Sequence, residues 1–249
     1  VSELGGKLGK LTAVIGGVVA GLALVSAGAS AFTDLSKTAI QAAAAGQALE
    51  AQFEQVFGTL QSKATSTIDA MANEFGMVPS RLVPMMTQMT SMFKGLGLST
   101  EEAMTQAAGA TRIVADAAAF YDMSFEDANA ALNSFVKGNY EGGEAIGLFG
   151  KETTLAAWAA DNLGKDWKTL DEAGKQVARL QFAQAMQEAA GATGQAARES
   201  DGLENLLGNL KAAWENLMIE FGNPILPIVT EWLKKITTAL QEFNFEPII

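Results

Sequence analysis

Along almost the whole chain, apolar residues return at spacings of three and four, and no alternation long enough to make a convincing strand appears. The clearest run is Leu203, Leu206, Leu207, Leu210, Trp214, Leu217, Met218 and Phe221, which predicts a helix with one continuous apolar face. Asp201 is placed to cap that helix, with Glu204 as its capping-box partner. Gly222-Asn223-Pro224 stops it, and a second apolar helix led by Pro227 follows. The face built by Leu203, Leu206, Leu210, Trp214, Leu217 and Phe221 is expected to serve helix packing.

Upstream the same period recurs in shorter pieces. An Ala-rich helix runs from Thr38 to Leu60 with Leu49, Phe53, Val56 and Phe57 as its stripe, and Gly58 ends or bends it. A helix from Gln61 to Phe75 is followed by a break at Gly76 to Pro79. Pro84 suits the first turn of the next helix, which carries Met85, Met86, Met89, Met92 and Phe93 as core. Ser99-Thr100-Glu101-Glu102 reads as a capping box that opens a helix to about Tyr121. Ser124-Phe125-Glu126-Asp127 opens the next, with Phe125, Ala128, Leu132, Phe135 and Val136 inward and Gly138-Asn139 closing it. The few residues between these two helices predict an antiparallel hairpin. Tyr140 to Phe149 is a Gly-rich loop anchored by Ile146, Leu148 and Phe149. Helices at Thr153–Leu163 and Asp171–Ala190 follow, then a small-residue break at Gly191 to Gly194. The fold class is therefore all-α: an array of amphipathic helices with short Gly/Pro breaks, forming helical hairpins and a bundle. Its organisation divides into residues 1–33, 34–198 and 199–249.

Composition narrows the chemistry. The chain of 249 residues has no His and no Cys, which removes the usual zinc sites, Ser-His-Asp and Cys-His nucleophiles, and disulfides. Its net charge is -11, from 17 Lys and Arg against 28 Asp and Glu, with no basic cluster, so direct nucleic-acid binding is not expected. Charged residues make up only 18% and apolar ones 49%, an oily balance for a water-soluble protein. Ala faces bury little area each, so such helices call for neighbours or other copies of the chain. The chain starts at Val1 without Met and stops mid-pattern at Glu246 to Ile249, and is read as a slice of something longer.

Leu11 to Thr33 carries no charge, and as a helix it would run roughly 35 Å, enough to cross a bilayer. Within it, Gly17 and Gly21 form a GxxxG for close membrane or oligomer packing. The run fits a membrane-inserting helix, a helix buried among other copies, or a signal peptide with small residues at Ala27 to Ala31. The acidic pairs Glu101/Glu102, Glu126/Asp127 and Asp171/Glu172 each fall at a predicted helix start, where the macrodipole favours negative charge. Trp158, Trp167, Trp214 and Trp232 read as packing anchors. No catalytic, cofactor-binding or metal-binding constellation emerges, and no cofactor is called for.

Two stretches resemble a known family. LGLSTEEAMTQAAGATRIVADAAAFYDMSFEDANAALNSFVKGNYEGGEAIGLFGKE is similar to the central block of phage tail tape measure proteins, and Ser200 to Ile236 is similar to their terminal helix pair. Between them lie Leu170-Asp171-Glu172 with Lys175 and Arg179, then Ala192 to Asp201. Upstream, Ala48 to Gly58 resembles the family's opening. The matches cover roughly Asp34 to Thr237 in the family's order. Tyr140 to Glu144 departs from the family's usual acidic-Pro-Leu turn, and Ala192-Thr193-Gly194 from its Gly-Asp. The resemblance implies a structural role without enzymatic activity: setting tail-tube length during assembly, at a helical rise of ~1.5 Å per residue. It implies tail tube proteins, tail assembly chaperones and other copies of the chain as partners, and the host inner membrane during DNA passage. It places the chain in the virion tail lumen, with host cytoplasm before assembly and host membrane at infection. The competing readings are a secreted or membrane-active pore-forming helical protein, and a wall-degrading enzyme domain.

Overall fold

The computed structural model describes residues 30–241, in which every regular element is helical. Among the described residues these are α1 (Ser30–Phe57), α2 (Gln61–Phe75), α3 (Pro79–Gly95), α4 (Thr100–Phe120), α5 (Phe125–Val136), α6 (Glu152–Leu163), α7 (Glu172–Ala190), the one-turn α8 (Gln195–Arg198), α9 (Leu203–Gly222) and α10 (Leu226–Gln241). Short 3-10 helices lie at Gly58–Leu60, Tyr140–Ile146 and Trp167–Thr169. The described residues divide into two units, Leu49–Ala213 and a smaller one of residues 30–48 and 214–241. Both α1 and α9 run unbroken from one unit into the other.

In the larger unit α4 is the central element, packed by α2, α3, α5, α7 and α8. Its sequence explains that position. Ala103, Ala107, Ala110, Val114 and Ala117 are buried around much of its girth, and Ala side chains let neighbouring backbones come close. The larger side chains arrive from the surrounding helices: Leu82, Met86, Met89 and Phe93 from α3, Ile68 and Met71 from α2, Leu132 and Phe135 from α5. Met85, Met86 and Met89 of α3 are core, as their spacing predicts, and Met92 is partly buried against it. Ser99 caps α4 in the expected box: its Oγ accepts from Glu102 N–H at 3.3 Å, and its own N–H donates to Glu102 Oε2 at 2.9 Å. The Ser99 hydroxyl also donates to Glu102 Oε2 at 2.6 Å, and this bond, with that from the Ser99 N–H, holds the exposed Glu102 carboxyl below the ordinary range. Ser124 and Asp171 likewise cap α5 and α7 through the N–H groups of Asp127 and Gly174.

Several expectations are corrected. α3 opens at Pro79, so Pro84 lies inside the helix and Pro79 takes the first-turn position, where its missing N–H has no intrahelical partner to lose. Phe149 is 68% exposed, while Ile146 and Leu148 anchor the Gly-rich segment, which winds into a 3-10 helix. α9 begins at Leu203, and Gly202 rather than Asp201 holds the cap position, its C=O accepting from Leu206 N–H at 3.0 Å. The break after Gly191 hides one further turn, α8. Buried Asp116 on α4 accepts from Gly194 and Ala196 N–H at 2.8 and 3.1 Å, and so satisfies the start of α8 with a carboxylate 78 and 80 residues distant in sequence.

The smaller unit contains the first part of α1, the last part of α9, and α10. Ala39 and Ala43 are fully buried, and a Cβ at Gly222 would lie 2.0 Å from Ala39 O. α1 and α9 therefore meet at backbone distance, which only glycine at 222 permits. The oily run's residues 11–29, with Gly17 and Gly21, lie outside the described residues. Among the described residues no helix is long and apolar enough to cross a membrane.

Candidate interaction surface

The predicted packing face of α9 turns away from the core. Leu203, Leu206 and Leu210 are 73%, 51% and 68% exposed, and Trp214, Leu217 and Phe221 are 53%, 50% and 43% exposed. The face expected to serve helix packing is thus exposed among the described residues, and Trp214 and Trp232 are not anchors of the core either. Trp158 and Trp167 do fill that role, the first edge-on to Phe182 and the second buried with its indole N–H on Glu152.

What holds the first half of α9 is the opposite, polar face. Asn205 Nδ2 donates to Phe75 O, Gly76 O and Ser200 O at 2.7–3.1 Å, and Asn209 Nδ2 donates to Gly76 O at 2.8 Å. Val78 N–H returns a bond to Asn209 Oδ1 at 3.1 Å. Arg81, whose side chain is only 5% exposed, donates to Asn205 Oδ1 at 2.8 Å and lies 3.7 Å from Glu126. A Cβ at Gly208 would sit 2.4 Å from that guanidinium, so the glycine makes room for it. The α2–α3 turn has carbonyls that α2 cannot satisfy, and two Asn residues one helical turn apart cover them. Sequence reading followed the apolar stripe and missed this clasp. Its trace was there: Asn205 and Asn209 at i and i+4, on the side facing away from the leucines. Beside it, Phe75, Met77, Arg81, Ala115, Phe125 and Asn205 border a recess of about 180 Å³.

A second buried cation holds the far end of the unit. Arg179 on α7 donates to Val136 O at 3.0 Å and to Glu172 at 2.9 Å, with Tyr140 and Trp167 rings at 5.8 and 5.5 Å. Arg179 thus satisfies the last carbonyl of α5, which explains this residue better than any surface role. Burial pushes the Glu172 carboxyl up, but hydrogen bonds from Arg179 and Gln176 and the charges of Arg179 and Lys175 outweigh it, leaving it below the ordinary 4.5. A carboxyl depressed by folding stabilises the fold above its unfolded value and loses that contribution as pH falls through the lower folded value. Thermal stability is thus expected to drop below about pH 4.5 in part through this pair. In Glu172→Gln that part of the acid sensitivity disappears, which melting curves between pH 3 and 7 check.

The acidic pairs sit at the starts of α4, α5 and α7, as caps and first-turn charges. Among the described residues no group of acidic side chains converges in a way that could hold a metal ion. No family model, curated protein or solved structure matches the chain.

Proposed function

We propose that the chain is a segment of a bacteriophage tail tape measure protein, a structural element that sets tail-tube length during assembly. The observation that carries this reading is the ordered series of motifs between Ala48 and Ile236, read from the sequence and falling on successive capped helices. The Ser99 box opens α4, the Ser124 cap opens α5, the Gly-rich turn follows, and the amphipathic α9 with its Gly222 stop closes the series. An all-helical chain with short breaks suits a molecule whose length is measured in residues, at ~1.5 Å each. Tail tube proteins, assembly chaperones and further copies of the chain are the partners of this reading, in the tail lumen. The host membrane enters only through residues 11–33.

The reading is tested by protein chemistry on purified particles. Peptides from residues 49–213 are expected in intact tails, in several copies per particle, and depleted from particles that have ejected their DNA. Their absence from tails rejects the proposal.

The exposed Ile228, Trp232 and Leu233 of α10 favour one second reading, a membrane-active helical protein. Leakage of dye from anionic vesicles by the 249-residue chain would support that reading, and intact vesicles at micromolar protein would remove it.

A further inference from the structure

α9 carries two faces with opposite functions. Leu203, Leu207, Leu210, Trp214, Leu217 and Phe221 are separated by four, three, four, three and four residues, the unbroken 3.5-residue repeat of a coiled-coil seam. Leu207, Trp214 and Phe221 occupy its a positions, and Leu203, Leu210 and Leu217 its d positions. The helix docks on its own chain through the far side: Asn205, Asn209 and Gly208 on the clasp, and Ala212, which is buried. Held by its b, c and f positions, and by buried Met218 at an e position, the helix leaves its a and d residues exposed along three heptads.

We propose that α9 pairs with α9 of a second copy of this chain as a two-fold, antiparallel coiled coil. Two observations select a second copy. The first is area: at 43–73% exposure, the six large apolar side chains of this face offer on the order of 700 Å² per copy, close to the ~800 Å² per partner of a stable interface. The second is self-complementarity. In an antiparallel pair a residues meet d residues, so Phe221 meets Leu203, Trp214 meets Leu210, and Leu207 meets Leu217 of the second copy. Every aromatic ring then faces a leucine. A parallel pair in register would layer Trp214 on Trp214 and Phe221 on Phe221, crowding two layers and leaving the leucine layers thin. The two-fold axis falls near Ala212–Ala213, where the exposed small side chain of Ala213 faces its own copy. This pairing does not depend on the tail reading.

The absence of Cys from the sequence makes the geometry directly testable with the full 249-residue chain. Sedimentation equilibrium is expected to give twice the 26.1 kDa chain mass at micromolar concentration. With each copy at net charge -11, added salt should tighten the pairing. Leu210→Glu, at an exposed site that leaves the bundle intact, is expected to weaken it at least about a hundred-fold with unchanged helical circular dichroism. Under mild oxidation, Ala213→Cys should crosslink to itself. Leu203→Cys and Phe221→Cys should crosslink when mixed and not singly. A chain that stays monomeric to about 100 μM overturns the proposal, whether or not it binds vesicles. Efficient Leu203→Cys self-crosslinking overturns the antiparallel geometry.

Discussion

Replacing Phe135 by Ala is expected to lower the unfolding free energy by about 3–5 kcal/mol, the range for emptying a buried aromatic site. Phe135 is fully buried on α5, stacked against Phe182 of α7 at 6.0 Å and edge-on to Tyr140 at 5.7 Å. It joins three segments: α5, the 3-10 helix at Tyr140–Ile146 and α7. The backbone at Gly143 already lies against the ring, since a Cβ there would be 2.7 Å from it. The site therefore cannot collapse without moving that helix, and most of the cavity term remains. Denaturant unfolding checks this, with Phe149→Ala as the matched control. Phe149, exposed and outside the α9 seam, should change stability by less than about 0.5 kcal/mol. Equal losses at the two positions would contradict a filled core at Phe135.

Gly147→Ala is expected to cost about 2–4 kcal/mol, unusual for the addition of one methyl group. Gly147 ends the 3-10 helix at φ +74°, a conformation that costs an alanine roughly 1 kcal/mol. The larger part is steric. Its Cβ would lie 1.9 Å from Tyr121 Oη and 2.7 Å from Cζ, at the loop between α4 and α5. Either the tyrosine leaves its place or the Gly-rich segment lifts, drawing Ile146 and Leu148 from the core. Tyr121→Phe removes the nearer atom, so the double variant should recover part of the loss and show a coupling of about 1 kcal/mol in a double-mutant cycle. Strict additivity would place the strain elsewhere.

Much of this fold is legible from local chemistry. The 3.6 period, the Ser99 and Ser124 caps, Asp171 and the glycine stops each act within a turn or two of chain, and the structure places them as read. α2 runs over the same Gln61–Phe75 that its pattern predicts. Long-range chemistry was not legible. Asp116 gives no sign in sequence that it caps α8, nor does Arg179 that it sits between Tyr140 and Trp167. The instructive case is α9. Its apolar stripe reads as a packing face, but periodicity carries no information about which partner a face meets. The chain's own contact runs through Asn205, Gly208 and Asn209 instead. A polar, glycine-bearing face can dock a helix when unsatisfied carbonyls and a buried guanidinium wait on the other side, which spares the leucines for something else.

The folded unit and the tape measure reading make one joint demand. Helices that pack into a bundle must separate at their turns if each residue is to count as length, with neighbouring copies covering the Ala and Met faces so released. Deleting residues 49–213 in frame from the intact gene removes the whole larger unit and leaves no partial core behind. Tail lengths read by electron microscopy are then expected to fall by about 250 Å at ~1.5 Å per residue. A loss near 40 Å, roughly the diameter of the unit if it stays folded, or no loss at all, would contradict the account.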